Sequence, residues 1–131
     1  MTGDGFERYK AYIDALVEHC ERQGSIGARK AIKGVWNQNP DSIIPEEQQR
    51  VNTLLSELSP DQRAVLAEML RSEFVGGVFM SLVVLRDGEY QLTQDGVELP
   101  LTPTGYESFE DFTCRRLGLD WPDGEHDWSG P

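Results

Sequence analysis

The stretch SPDQRAVLAEMLRSEFVGGVFMSLVVLR, residues 59–86, decides the fold. Ser59 is a good N-cap, and Pro60 suits the first helical position, where a missing N–H does no harm. Asp61 sits at the positive end of the helix, and Gln62, three residues after the cap, completes a capping-box pattern. Val65, Leu66, Met69 and Leu70 follow at helical spacing and give one stripe a core to face. From residue 74 to residue 85 the pattern changes, and Ser81 is the only polar side chain. A segment apolar on every side is expected to be covered on every side. At about 1.5–3 kcal/mol per large buried side chain, that cover is worth on the order of 15 kcal/mol as an upper bound. The element organises a fold without announcing a reaction.

Two residues interrupt its logic. Glu73 lies one turn beyond Met69 and points a carboxylate into the apolar stripe, which makes it the one candidate for a catalytic group. Gly76-Gly77 removes two side chains in mid-run, at about 2 kcal/mol relative to alanine. A close helix crossing, a kink or a break is expected there. The continuation over 78–85 reads as helix, with a buried strand as the alternative, since Val-rich runs of this length suit both.

Outward from this element, helix is expected over 6–23, where Phe6, Tyr9, Ile13, Leu16, Val17 and Cys20 share an arc of about 100°. A second helix starts near Ser25 and turns Ala28, Ile32, Val35 and Trp36 inward. Arg29, Lys30 and Lys33 share its other face, and no acidic residue lies between Ser25 and Pro40. These three cations with Trp36 are the candidate ligand site, for a phosphate or carboxylate. Asn37 to Pro45 is turn-rich, with Ile43 and Ile44 tucked onto the core. A third helix over 46–58 buries Val51, Leu54, Leu55 and Leu58. Beyond the central element, 90–93 and 97–101 flank Gln94-Asp95-Gly96 as a hairpin. A last helix over 106–117 packs Tyr106, Phe109, Phe112 and Leu117. Arg116 falls inside that apolar arc; because either charge alone would be costly to bury, Glu73 and Arg116 are expected either to pair or each to reach the surface at a helix end.

The expected fold is thus α+β, mainly α: four to five helices around a long central hydrophobic helix, with one β-hairpin. Length allows one domain over 1–131, a folded body at 6–117 and an acidic tail at 118–131. That tail carries Asp120, Asp123, Glu125 and Asp127 with Trp121 and Trp128, the candidate partner-binding residues.

The stretches GVWNQNP (residues 34–40), LLSELSPDQRAVLAEML (54–70), GVELP (96–100) and CRRLGLDWPD (114–123) resemble a family of small bacterial proteins with no assigned function. Their order and spacing carry the similarity over about 9–123. In that family's pattern the glycine pair is often followed closely by a His and an Asp; Phe79 and Met80 stand here. The resemblance implies a bacterial, intracellular, single-domain protein and carries over no mechanism.

Twelve basic residues against 23 acidic ones give a formal charge of −11. That field repels nucleic acid and anionic lipid, and speeds association with a basic protein. No basic N-terminal region leads into an apolar run, and no apolar run reaches the roughly 20 residues that span a membrane. A cytoplasmic protein with Cys20 and Cys114 as reduced thiols is expected. No glycine loop for phosphate, nucleophile elbow, H-E-x-x-H or C-x-x-C occurs, so neither cofactor nor metal is expected. The leading functional class is a non-enzymatic protein-binding module, an immunity- or antitoxin-like inhibitor of a basic bacterial protein being one form. The alternatives are an anionic-metabolite binder and a small hydrolase or transferase using Glu73.

Overall fold

A computed structural model describes residues 3–23, 25–122 and 128. It is mainly helical, with five α-helices and one two-stranded antiparallel hairpin among those residues. Contacts divide the chain into two compact units, one formed by Met1–Arg22 with Gly76–Pro131, the other by Gln23–Val75.

The first unit opens with α1 (Gly3–Glu18), continued by a π-helical turn, His19–Gln23, that carries the buried Cys20. Tyr9, Ile13 and Cys20 are the buried members of the predicted stripe. α4 (Pro60–Asp87) supplies residues 76–87 to this unit. It ends in a Schellman turn: the Tyr90 amide donates to the Leu85 carbonyl and the Glu89 amide to the Arg86 carbonyl. The hairpin pairs β1 (Thr93–Gln94) with β2 (Val97–Glu98), in register Thr93 to Glu98 and Gln94 to Val97. Asp95 and Gly96 both take positive φ, 52° and 78°, the signature of the tight turn that suits strand twist. Arg8 donates to the Gln94 carbonyl and to Asp95, tying the hairpin to α1. α5 (Ser108–Arg116) packs on α1 and buries Phe112 and Asp111.

The second unit holds α2 (Ile26–Lys33), α3 (Glu46–Glu57) and residues 60–75 of α4. Ser25 caps α2 by accepting from the Ala28 amide, and Gly34, at φ 86°, closes it. The capping box of α4 forms as read: Ser59 Oγ accepts from the Gln62 amide, and Gln62 Oε1 from the Ser59 amide. Ala28, Ala31, Leu55 and Ala67 make the core, with Trp36, Val51, Leu58, Leu66 and Leu70 packed against it. Small residues at the centre let the helices approach closely, and the larger ones surround them.

Residues 78–85 are helix, as expected over the strand alternative. Several other expectations change. α4 runs through the glycine pair without a break. No close crossing explains Gly76 and Gly77: among the described residues, nothing beyond the local helix backbone lies within 4 Å of where a Cβ would stand. The all-round cover expected for 74–85 is not found. Leu82 alone is buried there, while Met80 and Val84 are each 55% exposed. Ile32, Ile43, Leu54 and Leu117, expected inward, are also exposed. Each unit is too small to wrap every apolar side chain, so one arc of each helix is covered.

Candidate functional site

In the first unit, α1, the end of α4, the hairpin flank and the start of α5 enclose a cavity of about 280 Å3. Tyr9, Leu82 and Leu99 are its buried apolar walls, and Tyr12 and Tyr90 add two more rings. Arg86, Glu89 and Glu107 bring charge to it. Arg86 is already engaged, with Nη2 2.8 Å from Asp87 Oδ1 and its guanidinium 4.8 Å above the Phe109 ring. Among the described residues no cation lies within ion-pair distance of Glu89 or Glu107. The cavity therefore carries two unneutralised carboxylates against apolar and aromatic walls.

Glu89 stands in an unusual place. It occupies the left-handed position after α4, at φ 55°, where glycine is the ordinary residue. A side chain there costs about 1–2 kcal/mol. Gly88 has no such freedom to change, because a Cβ on it would run into the Tyr90 ring.

Behind this wall lies a buried polar network. Asp111 is fully buried and accepts three hydrogen bonds, from Tyr9 Oη (2.5 Å), Thr104 Oγ1 (2.7 Å) and Trp128 Nε1 (3.0 Å). Burial lifts its carboxyl above the usual range, while the three donors pull the other way. Burial first, then the hydrogen bond to Asp111, pushes the Tyr9 phenol well above its ordinary value, and burial raises Tyr12 too. Both phenols therefore keep their protons at neutral pH, and Tyr9 uses its own as the donor to Asp111. Beside this network Arg115 Nε meets Asp14 Oδ1 at 2.7 Å, and Trp121 Nε1 donates to Asp14 Oδ2 at 3.0 Å.

The predicted residues are distributed as follows. Trp121 and Trp128 are half-buried, with ring centroids 5.1 Å apart, and Trp121 sets its edge against Phe6 and Tyr9. Both indoles thus serve their own unit. Asp120 is exposed, and Asp123, Glu125 and Asp127 lie outside the described residues. Glu73 is exposed on α4. Arg116, its expected partner, belongs to the other unit and has Nε 3.8 Å from Glu21 Oε1.

Arg29, Lys30, Lys33 and Trp36 come together around a second, shallower cavity of about 420 Å3 in the second unit. Lys30 Nζ sits 5.1 Å above the Trp36 ring. The loop bearing Trp36 is fastened to α3: the Trp36 and Asn37 amides donate to Asn52 Oδ1, and Asn52 Nδ2 returns a bond to the Asn37 carbonyl.

Cys20 and Cys114 are free thiols, both raised in pKa, by burial first. Among the described residues no His, Cys, Asp or Glu cluster could hold a metal, and no helix is long and apolar enough to cross a membrane. The residues that reading the chain missed are Asp111, Glu89 and Glu107. Asp111 is not among the residues of the apolar face expected for its helix, and one of its donors, Tyr9, lies 102 positions away.

Comparison with curated proteins and with solved structures finds no match. The profile of one family, described as a family of unknown function (DUF6547), matches residues 2–123. Spanning nearly the whole chain, that match makes this protein a member of the DUF6547 family.

Proposed function

We propose that the chain is a non-enzymatic protein-binding module for a basic partner, and that the cavity of the first unit receives one Lys or Arg side chain of that partner. The observation that carries the reading is the pair Glu89 and Glu107, two carboxylates without an ion-pair partner among the described residues, on an apolar cavity. A lysine or arginine side chain has an aliphatic stem and a charged head, which matches apolar walls with acidic groups beside them. The rings of Tyr9, Tyr12 and Tyr90 line the space, and a cation over the face of such a ring gains about 0.5–2 kcal/mol. The formal charge of −11 speeds encounter with a basic surface. An inhibitor of a basic bacterial protein is one form such a module takes.

The test is an NMR titration of the full chain with a short capped peptide bearing one central Lys, and with the same peptide bearing Glu. The expected result is movement of the Leu82 and Leu99 methyl resonances with the Lys peptide alone, weakened by Glu89→Gln with Glu107→Gln. Equal shifts with both peptides, or none with either, would overturn the reading.

A further inference from the structure

We infer that the depression on the second unit binds a compact phosphate-bearing small molecule with a flat ring, its phosphates on Arg29, Lys30 and Lys33 and its ring against Trp36. The inference stands apart from the basic-partner reading, since it concerns a different unit and a ligand of opposite charge.

Three observations converge. First, no carboxylate answers the cations: among the described residues none of the three takes part in an ion pair, and Lys30 has only the Trp36 ring beneath it. In a chain with nearly twice as many acids as bases, that is not the expected fate of three neighbouring cations. Second, they repel one another. Arg29 and Lys33 stand at i,i+4 and Lys30 and Lys33 at i,i+3 on α2, spacings at which like charges destabilise a helix. A bound anion reverses the sign of that contribution. Third, a platform is held in place beside them. Trp36 is fixed through its amide to Asn52, and its ring packs so closely on Gly27 that a Cβ there would stand 3.0 Å from it. Ile26 and Val35, both exposed, extend the apolar wall next to the indole.

The chemistry of the ligand follows from these dimensions. One turn of helix separates Arg29 from Lys33, about 6 Å along the axis, which two linked phosphoryl groups can bridge. Lysines act on phosphate as movable point charges, and an arginine adds a fork that can grip two oxygens. A flat ring covers apolar surface that phosphate alone would leave wet. A long nucleic acid does not fit: beyond this patch it would meet the field of an acidic protein, whereas a small anion lies within a Debye length of about 8 Å of these cations. The competing explanation is that Lys30 and Lys33 only offset the negative end of the α2 dipole, a role that needs no ligand.

Calorimetric titration of the full chain with ADP, pyrophosphate and adenosine separates the two. Binding is expected for ADP, more weakly for pyrophosphate, and not measurably for adenosine. Lys30→Gln, at a half-buried position, with Lys33→Gln, at an exposed one, the folding checked by circular dichroism, should weaken ADP about tenfold or more, the equivalent of about 1.4 kcal/mol. Equal affinity for pyrophosphate and ADP would overturn the ring contact. No saturable ADP binding, or binding unchanged in the double variant, would overturn the site, whatever the Lys-peptide titration of the other unit gives.

Discussion

Tyr9 Oη donates a 2.5 Å hydrogen bond to buried Asp111 Oδ2 across 102 positions of sequence, joining α1 to α5. The same carboxylate accepts from Thr104 and Trp128, so one side chain gathers four separate segments. Asp111→Asn keeps the shape but presents an amide N–H where Tyr9 donates, and should destabilise by about 1–3 kcal/mol in chemical denaturation. The pH dependence has a definite sign. Because burial raises the Asp111 carboxyl above its unfolded value, its contribution is full below about pH 4 and is lost as pH rises through the folded value. The stability advantage of the native chain over Asp111→Asn should therefore shrink on going upward from pH 4. An advantage that grows with pH would show the donors outweighing burial.

Glu89 is held in a conformation that glycine adopts freely. Glu89→Gly should raise stability by about 1 kcal/mol, read as a higher melting temperature. The same change should weaken the Lys peptide in the NMR titration. Gains in both stability and binding would remove Glu89 from the proposed site.

Gly76 and Gly77 lie inside α4 with open space where a side chain would go. Replacing either with Ala should stabilise by up to about 1 kcal/mol, since it removes backbone freedom from the unfolded chain and introduces no clash. Thermal melts of the two single variants measure this, and a fall in melting temperature would mean that the glycines are in fact closely packed.

Gly34 is the opposite case. It takes φ 86°, and a Cβ there would come within 2.9 Å of Arg63 Nη1. Gly34→Ala should cost about 1–2 kcal/mol from backbone strain alone, before Arg63 has to move. Urea denaturation checks the value. A neutral result would show that Arg63 yields freely and that the α2 terminus can re-form without the left-handed residue.

What the chain determined by itself is local. The Ser59–Gln62 capping box, the Ser25 cap, the Asp95-Gly96 turn and the helical spacing of Tyr9, Ile13 and Cys20 depend on neighbours within a turn or two. Those forces are written in adjacent residues, and each of these features stands in the fold. The grouping of Arg29, Lys30, Lys33 and Trp36 was legible for the same reason, being one helix and the loop that follows it. Tertiary structure alone decided which apolar faces are covered. An apolar run such as 74–85 states a preference for burial, but the covering surface comes from other segments, and here it reaches Leu82 and leaves Met80 and Val84 exposed. It also decided which carboxylate is buried. Glu73 shared an apolar arc yet lies exposed, while Asp111, outside the expected apolar face of its own helix, is fully buried, because Tyr9, Thr104 and Trp128 all donate to it. Burial of a charged group depends on partners, and the partners of Asp111 are brought to it only when the chain closes on itself.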